Sequence, residues 1–284
     1  MKPMKKIFKF FRQYLPFSSA GVKGVLTYKA QVFMWLFIAF IDIFFIVFLY
    51  QAIYRNSPEG MNAVINGFTF YEIVLYMVTS FVFSFVVNGN DTSWNIFQDI
   101  QEGTIVNTLT KPVSYRLKHL FTYIGGMIFL FVIMLLPILS ILYGIFIGFG
   151  FIEVSVTKFI ISILIFLALT IIGGLINDAI CYFVGLLTFF TEHMFGLNFL
   201  KTSIQNFLSG TMLPLSYMGA FGVFCAYTPF AFLNSAPVLT LMCKFDNKQA
   251  FIYVLVALGW LVILEILNKL MFKYCIKRVT VQGG

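Results

Sequence analysis

Residues 159–189 read FIISILIFLALTIIGGLINDAICYFVGLLTF, and the one charged side chain among these 31 residues is Asp178. About 20 mostly apolar residues suffice to cross the hydrocarbon core of a bilayer. The run is continuous, whereas strands of a membrane barrel alternate over about 10 residues. It therefore predicts a spanning helix.

Working outward, comparable runs occupy Gln31–Tyr54, Phe70–Val87, Leu120–Phe149 and Ala250–Phe272. A fifth-in-order run, Met194–Ser209, is less clean because it holds Lys201, Gln205 and Asn206. The reading is six spans, with the fifth either a full crossing or not. Composition agrees: 60% of the 284 residues are hydrophobic, 37 are Phe and only 11% are charged, against about 25% charged in soluble domains. The fold class is an all-α integral membrane protein, forming one membrane domain over 1–284.

Lysine and arginine set the orientation. With the N-terminus inside, the inner segments carry fourteen of them, from Lys2 to Arg12, at Lys23, Lys29, Lys111, Arg116 and Lys118, and from Lys269 to Arg278. The outer segments carry four, Arg55, Lys158, Lys244 and Lys248. Both termini are expected in the cytoplasm. The net charge of +8 then reports topology, and no nucleic-acid partner is expected.

Residues 1–30 open with MKPMKKIFKFFRQYLPF, which lacks the small-residue cleavage site of a signal peptide. As a helix it puts Lys5, Lys9 and Arg12 on one side and Ile7, Phe8, Phe11, Tyr14 and Leu15 on the other. That pattern suits a basic amphipathic helix lying on anionic membrane lipid; the alternative is a disordered basic tail.

Between the second and third spans, residues 91–119 turn polar. Trp94–Glu102 predicts a short amphipathic helix with Ile96, Phe97 and Ile100 on one face. Gly103 suits a left-handed helix end, Thr104 suits the cap of a second short turn, and Pro112 stops that turn. Ser114 can cap the third span. Such an element is either a compact loop packed on its own bundle or a docking surface for a soluble partner.

Here the chain resembles a known family. DIQEGTIVNTLTKPVSY (Asp99–Tyr115) is similar to the acidic-x-x-x-Gly-Thr…Leu…Lys-Pro-Val signature of permease subunits in the type-2 ABC exporter family. GLLTFFTEHMFGL (Gly185–Leu197), LSGTMLPLSYM (Leu208–Met218) and the final VTVQGG (Val279–Gly284) extend the similarity. The resemblance implies a half-transporter of the bacterial cytoplasmic membrane that pairs with a second permease copy or a paralogue. Two separate ABC ATPase subunits would hold the ATP and Mg, with no cofactor on this chain. Ile96, Phe97, Asp99, Ile100, Gln101, Glu102 and Gly103 would form a coupling helix in an ATPase groove. Residues 210–249 would form external or re-entrant helices. The cargo would be an amphipathic drug, lipid or peptide.

The chain contains no G-x-x-x-x-G-K-[ST] phosphate loop, so a pump built on it hydrolyses ATP elsewhere. Ionisable residues inside spans are costly and are functional candidates. Asp42 and Asp178 are such positions, either for a substrate or proton role or for a buried hydrogen bond. Glu265 is expected to pair with Lys269 one turn later. Glu72, near an outer end, is expected to be hydrated. His119 and His193 are isolated, and no metal is expected at either. The cysteines, Cys181, Cys225, Cys243 and Cys275, read as packing residues, with a Cys225–Cys243 disulfide as the alternative. A lipid-modifying membrane enzyme would cluster its acids and histidines at one face, and an ion-coupled transporter would show internal repeats. The sequence shows neither pattern.

Overall fold

A computed structural model describes residues 2–27, 29–89, 91–151, 155–191 and 193–278. It is 82% helix, and no strand occurs among the described residues. Val279–Gly284 and Glu192 lie outside these residues. So do the side chains of Lys5, Ile7, Phe8, Lys9 and Phe11, which carry part of the expected amphipathic pattern.

The chain opens with α1 (Lys2–Thr27) and α2 (Lys29–Arg55), followed by α3 (Phe70–Asn88). Two short helices, α4 (Thr92–Gln101) and α5 (Ile105–Leu109), precede α6 (Tyr115–Leu130). A π turn at Phe131–Leu135 joins α6 to α7 (Leu136–Gly148). Then come α8 (Val156–Leu187), α9 (Met194–Leu208), the short α10 (Gly219–Cys225) and α11 (Ser235–Leu241), and finally α12 (Asn247–Cys275). Among the described residues, four helical segments are long and apolar enough to cross a membrane. They begin at Phe70, Tyr115, Val156 and Asn247. The 15 residues of α9 reach about 22 Å at the helical rise, short of the hydrocarbon core.

The start of each element follows from its local chemistry. Thr69 and Glu72 form a reciprocal capping box on α3. The other carboxylate oxygen of Glu72 meets Lys244 Nζ at 2.6 Å, so Glu72 is ion-paired and not merely hydrated. Ser114 caps α6 as expected, which starts the third apolar helix at Tyr115 instead of Leu120. That helix is also not one regular rod. Pro137 offers no N–H to the preceding turn, and the widened π turn just before it absorbs the misfit.

Helices α3 and α8 occupy the centre. Along α3, Ile73, Leu75, Tyr76 and Phe83 are fully buried. The 32-residue α8 packs along α12 and against the segment between α9 and α12. A Cβ on Gly173 of α8 would lie 2.2 Å from Phe232 O, so only glycine permits this approach. Residues in the segment between α9 and α12 therefore fold back onto the bundle. Tyr76 Oη donates to Gly210 O at 2.8 Å, and Asn234 Nδ2 donates to Ser80 Oγ at 2.5 Å. Cys225 and Cys243 are free thiols, so the alternative disulfide is absent.

α1 is held by protein. A Cβ on Gly21 would stand 2.0 Å from Thr122 O, and one on Gly125 would stand 2.1 Å from Ser18 O. The two helices thus cross backbone to backbone. Ser18 Oγ donates to Phe121 O at 2.9 Å, and Ser114 N donates to Tyr14 Oη at 3.0 Å. Tyr14 is buried while Leu15 is 57% exposed. Of the expected apolar face, the two described side chains thus part, Tyr14 into the bundle and Leu15 to the outside.

Candidate functional site

The polar stretch between α3 and α6 folds into a braced elbow. Asp91 Oδ1 accepts from Ser93 N at 2.9 Å and caps α4. α4 closes at its cap Glu102 and is followed by Gly103, whose φ of +68° lies in the left-handed region. No atom lies within 4 Å of a Cβ built there. Glycine is thus needed for its backbone angle and not for space. α5 follows at a fixed angle. Thr104 stands at its N-terminus without capping it. Its hydroxyl reaches back instead to Asp99 Oδ1 at 2.9 Å.

Beneath the elbow lies a small apolar cluster drawn from five helices. Ile96, Ile105, Tyr115, Tyr182, Leu186 and Cys275 come from α4, α5, α6, α8 and α12. Ile96 is fully buried against Gly185, where a Cβ would meet Ile96 Cδ1 at 2.9 Å. Burying a side chain of this size stabilises by about 1.5–3 kcal/mol. The face expected to be a set of free knobs is therefore used internally at Ile96. Phe97 and Ile100 are half-buried, and Phe97 packs beside Trp94 with ring centroids 5.5 Å apart. Gln98, Gln101, Glu102 and Gly103 are exposed.

Three groups of ion pairs hold the elbow to the bundle. Asp99, expected on the docking face, turns inward. Its Oδ2 accepts from Lys118 Nζ at 2.9 Å and Tyr115 Oη at 3.1 Å. His119 Nε2 stands 3.3 Å from the same oxygen but is not aligned for a hydrogen bond. The second group centres on Arg116. Its Nη1 meets Asp178 Oδ2 at 2.5 Å, its Nη2 meets Glu265 Oε1 at 2.5 Å, and its guanidinium lies 4.6 Å from the Tyr182 ring centre. Asp178 Oδ1 also accepts from Thr92 Oγ1 of α4. Glu265 is thus taken by Arg116 from another helix and not by Lys269. Asp178 is ion-paired at full burial. The third group is Lys201 Nζ with Asp91 Oδ2 at 2.8 Å.

Asp42 is half-buried on α2 and makes no ion pair or side-chain hydrogen bond among the described residues, so it is not brought to this site. Arg116, Lys118, Asp91, Thr92 and Lys201 are the site residues that sequence reasoning missed. The available signals were the bases in the first turn of an apolar helix and the lysine inside a candidate membrane run.

Two cavities flank the elbow. One of about 640 Å³ lies between α1, α4, α6 and α9, with Gly21, Trp94, Gln98 and Asn198 on its walls. One of about 310 Å³ lies between α3, α8 and α9. They share Gly89 and Asp91.

Residues 36–283 match the family model described as ABC-2 family transporter protein. No curated protein and no solved structure matches the chain. Apolar helices of spanning length and a family match over most of the chain agree with one another. The chain therefore belongs to the ABC-2 transporter family as an ABC-2 type permease, the membrane component of a transporter and not its ATPase.

Proposed function

We propose that this permease exports an amphipathic substrate by alternating access, driven by ABC ATPase subunits that dock on the α4–α5 elbow. Two such ATPases, carrying ATP and Mg, would serve a pair of permeases, the second being a copy of this chain or a paralogue. In this reading the spans are α2, α3, α6 with α7, α8 and α12, and the fifth crossing is made by α9 together with the residues that follow it. Both termini and the elbow face the cytoplasm of a bacterial cell, and residues 210–246 face outward. α1 lies at the cytoplasmic surface in contact with lipid. The lysine and arginine distribution supports this orientation.

The observation that carries the reading is the bracing of the elbow. An ATPase that closes on ATP does work on the permease only through a rigid contact. α4 is joined to α6 through Asp99, to α8 through Asp178 and Ile96, and to α9 through Asp91. A push on α4 therefore reaches these helices directly. The surface left for the ATPase is the exposed edge at Gln98, Gln101, Glu102 and Gly103, with half-buried Phe97 and Ile100 beside it. Ile96 and Asp99 act from beneath, holding that edge in place. A contact whose shape is set before binding avoids the cost of ordering it.

The test is purification of the tagged full chain from native membranes, with ATP hydrolysis measured in the eluate. The parent chain should bring an ATPase with it, and Phe97→Asp should lose it while still inserting. Retention of full activity by Phe97→Asp together with Gln101→Arg would contradict the docking assignment.

A further inference from the structure

The 310 Å³ cavity between α3, α8 and α9 has an unusual lining for its position. Phe81 and Phe85 of α3 line it together with the amides of Asn88, Asn177, Gln205 and Asn206. Lys201 stands in its wall with a side chain only 6% exposed. A buried ammonium has three protons to place. One is well served, by Asp91 Oδ2 at 2.8 Å. The other near partners are poor: Ser93 Oγ at 3.4 Å and Cys181 Sγ at 3.4 Å, thiol sulfur being a weak acceptor.

Asp91 is more fully engaged than the lysine. Its Oδ1 receives both Ser93 N and Ser93 Oγ, and its Oδ2 receives Lys201. A cationic ligand entering the cavity would meet a carboxylate whose two oxygens already accept three bonds, one of them from an ammonium. An anionic one would find a buried ammonium held by a single strong bond, with neutral amides around it. An isolated charge in such surroundings is strongly disfavoured, so Lys201 needs an anion at all times.

We propose that this cavity is a binding site for the anionic head group of an amphiphile, and that Asp91 is the internal carboxylate occupying Lys201 until such a head group replaces it. Phe81 and Phe85 would take the first part of the alkyl chain. This deepens the export reading above and rests on it for the role of the ligand as cargo. Asp91 is also the cap of α4, so exchange at Lys201 frees the residue that anchors the ATPase-docking elbow. Arrival of an anionic amphiphile is thereby reported to that elbow.

The test needs no ATPase, so its failure is separable from failure of the docking assignment. Full-length protein in phosphatidylcholine nanodiscs is titrated with ³²P-labelled dodecyl phosphate. The parent should bind it saturably. Asp91→Asn keeps a good N-cap residue but removes the competing charge. If the internal carboxylate holds Lys201 about nine-tenths of the time, the variant should bind about tenfold more tightly. Lys201→Gln should lose saturable binding, and dodecyltrimethylammonium should not compete. Replacing a fifth of the lipid by phosphatidylglycerol separates the sources: competition assigns the site to lipid, and no competition assigns it to a non-lipid cargo. Equal affinity in parent and Asp91→Asn, unaltered binding in Lys201→Gln, or no saturable binding in any form would overturn the proposal. Thermal unfolding of each variant confirms that folded protein is compared.

Discussion

Asp99 and Lys118 meet at 2.9 Å across nineteen residues of sequence. The carboxylate sits on the short helix α4 and the ammonium on the first turn of the long helix α6. Both are partly buried, at 17% and 24% exposure. The pair turns a polar connecting segment into a fixed part of the bundle.

Asp99→Asn should therefore loosen the elbow without disturbing the apolar helices. Hydrogen bonds to a charged group contribute about 1.5–3 kcal/mol each, so a loss in that range is expected. It would be read from thermal unfolding in detergent and from the rate of protease nicking between Gln101 and Thr104. Asp99→Asn combined with Lys118→Met should cost less than the sum of the two, since the pair is coupled.

Gly103 separates two explanations of its own role. Its φ of +68° favours glycine, while the space around it is open. Gly103→Asn should be tolerated, because asparagine enters the left-handed region readily. Gly103→Val should cost about 1–2 kcal/mol or more of local stability. ATPase co-purification should survive the first change and fall sharply with the second. Equal effects would mean that bulk at this position matters, and not the backbone angle.

Arg116 binds two carboxylates on two helices, and Asp178 is fully buried. Arg116→Met should destabilise the protein by about 3–5 kcal/mol, because it strands a buried charge. Arg116→Lys should not rescue it, since a lysine lacks the fork that reaches both acids. Arg116→Met with Asp178→Asn should regain much of the loss. Denaturation midpoints of the four forms check this.

The crossing of α1 on α6 makes a contrast between lipid charge and packing. Gly125→Val drives a side chain into the backbone at Ser18, and overpacking of this kind costs about 1–3 kcal/mol. It should release α1 to protease in neutral and anionic bilayers alike. Arg12→Glu should have the smaller effect, and only where the lipid is anionic, a base near such a surface being worth about 1 kcal/mol. The reverse ranking would mean that lipid, not α6, holds this helix.

Long continuous apolar runs were legible from the sequence, because bilayer crossing imposes length and composition together. The elbow was legible in outline, since Gly103, Pro112 and Ser114 act through local backbone chemistry. What could not be read was which way side chains turn. Ile96, Phe97 and Ile100 share a helical face, but only the tertiary contact with Gly185 decides that Ile96 is buried. Asp99 looked like a surface acid because Lys118 and Tyr115 lie beyond a proline and a new helix. Glu265 had a plausible partner four residues away, and Arg116 from another helix took it instead. The π turn before Pro137 was hidden inside a run that reads as uniform.

The central claim is that the α4–α5 edge meets an ATPase in the cell. It is tested most directly with a photo-crosslinking amino acid at Gln101, which is exposed at the end of α4. After illumination in cells, the full-length adducts are identified by mass spectrometry. A dominant adduct is expected with a protein carrying a G-x-x-x-x-G-K-[ST] phosphate loop, absent when the same amino acid is placed at Leu258 on the exposed side of α12. Adducts only with lipid or with the chain itself at Gln101, in cells where the transporter is active, would contradict it.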